Sequence, residues 1–477
     1  MLMQHSYHRD MVAIAARHAV LIALVACTAL PLAPPGARAS TAPADAADAA
    51  SALKVAPVVY RERRLGNGLQ VLSVASHSSP TVSVQVWYRV GSRDDPPGRS
   101  GFAHLFEHMM FKGTTYLRAE QFDRLTEDVG GENNASTRDD ATDYYEVVPS
   151  NHLETLLWAE AERMMNLKVD EATFRSERSV VAEEYRQRVL ASPYGRLFYL
   201  AFVASSYLEH PYKRPGIGSI EDLEAATLAD VVAFHKRYYR PDNATLVVTG
   251  DFDPPQLDAW VDKYFGAIPR PSEPLPRLDA SEPPWTRDRS VEVTGPQVPL
   301  PAVAFTWLAP PADSADAPAL QVAAAVLAAG ESSRLNQALV YRQRIATQSG
   351  FNADLRVGPG LLIAYAIAAG GKSTAALGKA LLAEVTRLAK TPPSPAELAK
   401  VKTQLITEAF NSRQTPLGLG IALAEAAVLL GDPARVNSEL AALQRVSADD
   451  VQRVLRRYVL GAHKVAIDYR QEPAAKR

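Results

Sequence analysis

Cysteine is nearly missing from this chain. Its one cysteine, Cys27 of 477 residues, sits in an N-terminal apolar run, so the rest can form no intrachain disulfide and no thiolate metal site. Any metal must then be held by His, Asp or Glu. A dominant sign of charge is missing too. Basic residues number 51 and acidic residues 53, a net of −2, and nothing points to nucleic acid or a polyanionic partner. The apolar run, Ala19–Ala33, is too short for a convincing transmembrane helix. Arg9 and Arg17 precede it and Ala37-Arg-Ala39 follows. This pattern predicts a secretory signal peptide over 1–39 and a periplasmic or otherwise extracytoplasmic location. A second reading stays open, because Leu24-Val-Ala-Cys27 resembles a lipoprotein cleavage box that would leave Cys27 lipidated as an anchor. Residues 40–57, rich in Ala and Asp, read as a disordered tether.

Apolar residues are plentiful. At 47% hydrophobic the chain suits well-cored globular domains. It is organised around Gly101-Phe-Ala-His104-Leu-Phe-Glu107-His108-Met-Met-Phe-Lys-Gly113. Ser100 as N-cap, Gly113 as stop, and Phe102, Leu105, Phe106, Met109 and Met110 between them predict a short, mostly buried helix. On a helix His104 and His108 are i and i+4, so both imidazoles point the same way and can hold one Zn²⁺. Glu107, at the edge of that face, can act on a water at the metal without being a ligand. The order H-x-x-E-H is the reverse of H-E-x-x-H. Chance produces it in roughly one or two chains per hundred of this length, so a third ligand must be found elsewhere.

Leu69–Val74 and Val82–Val90 alternate like strands, with Gly66-Asn67-Gly68 turning before the first. Residues 118–129 and 151–166 have helical spacing, and 133–137 and 142–148 read as two strands joined by a polar turn at 138–141. Residues 171–190 predict a long amphipathic helix. Glu177 and Glu184 lie seven apart on one face, with Val180 and Val181 between them on that face. Carboxylates on an inward stripe need a partner, because an unpaired buried charge is very costly. Glu183 fits a solvated face of Glu/Arg pairs. A helix over 227–239 and a strand over 244–249 follow.

Pro269, Pro271, Pro274, Pro276, Pro283 and Pro284 mark a linker over 269–287. It separates an N-terminal domain at 58–268 from a C-terminal domain at 288–470, with a short tail at 471–477. The second half repeats the first. Val303–Leu308 matches Val84–Arg89, Pro395–Phe410 stands where the Glu177/Glu184 helix stood, and Lys464–Asp468 echoes Ala244–Thr249. The helix equivalent to the H-x-x-E-H segment, Ala319–Ala329, has no ligands. The fold class expected is α+β, with two homologous units of mixed sheet covered by helices.

These residues resemble the pitrilysin/insulinase family of zinc peptidases, specifically its processing-peptidase-like branch, from about Val58 to Tyr469. His-Leu-Phe-Glu-His-Met-Met-Phe-Lys-Gly-Thr matches the family's active-site helix. The resemblance implies a third ligand, a Glu, 76 residues after the last His, which falls on Glu184. Its accompanying acidic residue falls on Glu177. The implied site is one Zn²⁺ held by His104, His108 and Glu184, with Glu107 as general base and Glu177 supporting a ligand. Asn134-Ala135-Ser136-Thr137 resembles the edge strand on which an extended peptide is laid. The family's two-domain chain is half of a clamshell that admits unfolded peptides.

One departure stands out. The family commonly carries an Arg and a Tyr seven residues apart in the second half, and this chain has Tyr341 and Gln348 there. Those groups would help bind substrate and stabilise an oxyanion. Their absence predicts a metal-less paralogous partner in a heterodimer, although a homodimer stays open. The leading expectation is an extracytoplasmic zinc endopeptidase; the alternative is a non-catalytic structural or assembly subunit. His77, His152, His210, His235 and His463 show no ligand spacing.

Overall fold

A computed structural model describes residues 55–473. The expected signal peptide, most of the expected tether and Cys27 lie outside the described residues. The first sheet contains β1 (Arg61–Arg64), β2 (Gln70–Ala75), β3 (Thr81–Tyr88), β4 (Glu132–Thr137), β5 (Thr142–Pro149) and β6 (Ala244–Gly250), in the order β1-β2-β6-β3-β5-β4. The second contains β7 (Arg289–Gly295), β8 (Ala302–Ala309), β9 (Ala346–Asp354), β10 (Gly360–Ala368) and β11 (Val465–Gln471), in the order β7-β11-β8-β10-β9. With β1 set aside the two orders are the same. In each, the first pair is parallel and the others are antiparallel. The repeat read from the sequence is thus a repeat of topology. The Pro-rich stretch 269–287 between the sheets carries no helix or strand.

The helices that cover the sheets include α1 (Phe102–Met109), α2 (Leu153–Asn166), α3 (Glu171–Tyr185), α4 (Leu228–Tyr238), α5 (Ala317–Ala328), α6 (Thr374–Lys390), α7 (Pro395–Ser412) and α8 (Pro416–Val428). Helices α1 to α4 cover one face of the first sheet, where Val82, Val84, Val86 and Tyr88 of β3 meet Phe102, Phe106, Leu157, Phe174 and Phe234. Helices α5, α6 and α7 cover the matching face of the second.

The opposite faces are covered by exchange. Helix α8, from the second half, lies on the back of the first sheet, where Leu423, Ala424 and Ala427 pack on Leu72, Trp87 and Val247. Residues 197–212, from the first half, lie on the back of the second, packing Leu197, Phe202 and Tyr212 against Ala302, Ala304, Ile363 and Ile467. Alternation in β3 predicts an outward polar face at Ser83 and Gln85, yet both are fully buried beneath α8. Gln85 Nε2 donates to Leu417 O at 3.0 Å and Trp87 Nε1 donates to Gln85 Oε1 at 3.1 Å, so the polar groups stay satisfied. The approach is close: a Cβ on Gly420 would meet Gln85 Nε2 at 2.2 Å.

Several expected boundaries shift. Helix α1 starts at Phe102 with Gly101, at φ 95°, as its cap residue, so Ser100 does not cap it, and it ends at Met109, short of Gly113. The helix expected over 118–129 is confined to Gln121–Glu127. The helix expected over 171–190 is regular to Tyr185 and continues as a wider π-type turn over Arg186–Leu190.

Candidate metal centre

Helix α1 is short and almost wholly buried, so something must satisfy its first amides. The loop before it does this. Asp95 accepts from Gly101 N at 2.7 Å and from Ala103 N at 2.8 Å. Burial pushes the Asp95 carboxyl up to about 7, against those two hydrogen bonds. Glycine is required at the start of α1 because Gly218 passes against it. Gly101 sits at φ 95°, and a Cβ on it would lie 3.0 Å from the Gly218 Cα and 3.1 Å from Ile217 O.

With α1 fixed, His104 and His108 project from one face with ring centroids 5.0 Å apart, and α3 crosses beneath them. Glu184 Oε2 lies 3.6 Å from His104 Nε2 and 3.5 Å from His108 Nε2. All three ligand atoms fall within 4.8 Å of one another. Two ligand atoms each ~2.0–2.1 Å from a tetrahedral zinc would lie roughly 3.3–3.4 Å apart. The spacing therefore suits a shared cation, and His₂Glu is a donor set that zinc accepts.

The surroundings are anionic. Glu177, buried on α3, sets Oε2 3.7 Å from His108 Nδ1 and Oε1 3.1 Å from Lys112 Nζ. Glu184 Oε1 is 2.5 Å from Arg188 NH1. Glu107 is buried beside both histidines, and its charge acts on each. Burial lowers the His104 pKa below its ordinary value. Burial would lower His108 too, but Glu177 and Glu184 outweigh it and push His108 up to about 9. Burial likewise works against the Glu184 charge, yet the two histidines and Arg188 hold its carboxyl down to about 2. The potential that raises His108 is the potential that would attract a divalent cation.

His104, His108 and Glu184 come together with Glu107 and Glu177 beside them, and one expectation is corrected. Val181 of α3 is fully buried, but Val180 is 47% exposed and does not share the inward face. Asn134, Ala135 and Ser136 lie on β4, which is the outer strand of its sheet, and Thr137 Oγ1 donates to Ala103 O of α1 at 3.4 Å. Ala135 is buried and its two neighbours are partly so. Tyr341 is exposed, and Gln348 on β9 donates to Tyr365 Oη at 3.2 Å. Sequence reasoning missed Asp95, Lys112 and Arg188. Arg188 had a readable signal, since it lies four residues after Glu184 and pairs with it.

Comparison with known proteins bears on the same residues. Residues 70–203 match the family described as Insulinase (Peptidase family M16), and residues 225–405 match the Peptidase M16 inactive domain. The chain is 36% identical over 342 residues to zinc protease PqqE of Helicobacter pylori, covering 71% of this chain and 76% of that protein. This chain belongs to the pitrilysin/insulinase peptidase family. Another relative in that family is the probable mitochondrial-processing peptidase subunit beta of Arabidopsis thaliana, 26% identical across 84% of this chain and 76% of its own length. Among solved structures, a protease from Helicobacter pylori superposes with a TM-score of 0.83 at 30% identity, covering 87% of this chain and all of that one. Among the described residues no helix is long and apolar enough to cross a membrane.

Proposed function

We propose that this chain is an extracytoplasmic zinc endopeptidase that cleaves extended peptides or unfolded polypeptides. The observation that carries this is the convergence of His104, His108 and Glu184 on one point with Glu107 beside it. Zinc held by these three side chains would polarise a scissile carbonyl and lower the pKa of water. Glu107 takes the proton of the attacking water on its carboxylate and returns it to the leaving amine nitrogen. Glu177 orients His108 through Nδ1 and, with Lys112, keeps its own charge in place. The outer edge of β4, at Asn134, Ala135 and Ser136, receives the substrate as an added strand, which makes binding depend on backbone more than on sequence.

The partner follows from what the second half offers. Helix α5, the equivalent of α1, holds Ala, Leu and Val and no His or Glu. With Tyr341 and Gln348 in place of Arg and Tyr, the substrate-clamping donors come from a metal-less paralogous subunit. The N-terminal leader, outside the described residues, supports export.

The test is zinc content and peptide cleavage of wild type and Glu107→Gln, each with and without the paralogue. Wild type binds one zinc per chain and cleaves. Glu107→Gln keeps the zinc and loses about 10²–10⁴-fold in rate, the usual size of a general-base contribution. Metal-free wild-type protein would favour a structural subunit on the same scaffold, and an active Glu107→Gln would remove Glu107 from the chemistry. Full activity of the lone chain would remove the need for a partner.

A further inference from the structure

The turn after β4 is Arg138-Asp139-Asp140-Ala141, and each of its three charged residues reaches the second half of the chain. Arg138 NH1 binds Glu425 of α8 at 2.6 Å. Asp139 Oδ2 lies 3.2 Å from Arg356 NH1. Asp140 is buried and accepts from three donors: Arg93 NH1 at 2.7 Å, Tyr212 Oη at 2.5 Å and Val357 N at 3.1 Å. Tyr212 Oη in turn accepts from Gly358 N at 2.9 Å.

Arg356, Val357 and Gly358 form the turn between β9 and β10, which occupy in the second sheet the places of β4 and β5 in the first. The two equivalent turns therefore meet, one from each half, over a buried carboxylate. From that carboxylate two short paths lead to the metal centre. One runs back along β4 to Thr137, whose hydroxyl touches Ala103 of α1. The other runs through Arg93 to Asp95, two residues on, which holds the first amides of α1.

We infer that Asp140 and Arg356 are positioning residues through which the metal-less half fixes the peptide-binding edge β4 and the N-terminus of α1 relative to each other. This rests on the reading of β4 as the substrate strand. The physical ground is that a buried carboxylate with three donors holds each of them at one distance, and its loss leaves all three unsatisfied. A mere staple between the halves would change stability and leave the bound peptide unaffected.

The experiment compares wild type, Asp140→Asn, Arg356→Lys and Tyr212→Phe, zinc-loaded and with the paralogue present, by hydrogen exchange and by steady-state cleavage of an extended fluorogenic peptide. In Asp140→Asn, amide exchange rises about tenfold or more in 101–105 and 132–137 together, while 395–412 is unchanged. KM rises about tenfold, with kcat and zinc content as in wild type. Tyr212→Phe removes only the bridging hydroxyl, moves both readouts the same way by a smaller factor, and keeps the test decisive if Asp140→Asn does not fold. Folded variants with wild-type exchange in both segments and wild-type KM would overturn the inference, as would faster exchange confined to 138–141. If wild type itself does not cleave, the peptidase reading fails and the exchange data alone decide the coupling.

Discussion

Glu177→Gln separates a supporting carboxylate from a metal ligand. The substitution keeps volume and removes charge at a buried position 3.7 Å from His108 Nδ1. Groups that orient a ligand histidine are worth about 10–100-fold in metal affinity. That corresponds to about 1.4–2.7 kcal/mol, at 1.4 kcal/mol per factor of ten. Coulomb's law brackets the same figure. Unit charges 4 Å apart interact by about 1 kcal/mol in water and about 4 kcal/mol at an effective dielectric of 20, and this site lies between those limits. Lys112, left without its 3.1 Å partner, adds a positive charge beside the centre and pushes the loss toward the upper end. The assay is competition with a chromophoric zinc chelator at fixed pH, with Glu184→Gln and Glu107→Gln in parallel. Glu184→Gln loses far more, and Glu107→Gln, which removes a nearby charge but no ligand, loses least and keeps the zinc. A Glu177→Gln affinity equal to wild type would remove Glu177 from the centre. A loss matching that of Glu184→Gln would make Glu177 a ligand.

Two further outcomes follow from packing behind the site. His235 stacks on Phe106 at 5.2 Å with its Nε2 buried and without a hydrogen-bond partner among the described residues, and burial pushes it down to about 4. Because the unfolded value is near 6.5, its contribution to stability is full above that pH and is lost as pH falls through 4. The loss is about 2 kcal/mol at pH 5 and at most about 3 kcal/mol below pH 4, and urea titrations from pH 4.5 to 7 on His235→Phe should show the slope flattened by that amount. Leu423→Ala, on α8, should cost about 2–5 kcal/mol and unfold the first sheet along with the second in one transition, read by tryptophan fluorescence and far-UV signal together. A first half that keeps its midpoint would contradict the exchange of covers.

The meeting of His104, His108 and Glu184 was legible in two parts. Spacing put the histidines, i and i+4, on one face and placed Glu177 and Glu184, seven apart, on one face of α3, while the pairing of that face with the histidines came from the family resemblance. Strands β3, β5 and β6 were legible within two residues at each end because their apolar runs are long and bounded by turn residues. What could not be read depended on distant parts of the chain. Ser100 satisfies the local rule for an N-cap, but Asp95 satisfies the amides from outside the helix. Ser83 and Gln85 follow the alternation of a half-exposed strand, and only α8, more than 330 residues away, explains why they are buried. Val180 follows the heptad arithmetic of α3, but nothing packs over that shoulder of the helix, so it faces outward.

The exchanged covers also set an order of events for a chain made from its N-terminus. β3 and α1 are complete before residue 110, yet the back of the first sheet stays bare until residues 416–428 exist to cover it. A nascent first half would carry Leu72, Trp87 and Val247 open to water for most of its synthesis, the kind of surface that invites aggregation. His104 and His108 thus appear within the first quarter of the chain, long before the sheet that carries α1 is covered on both faces. Under the proposed export this delay is useful, because a protein that cannot finish folding until its last hundred residues arrive stays threadable until it has crossed.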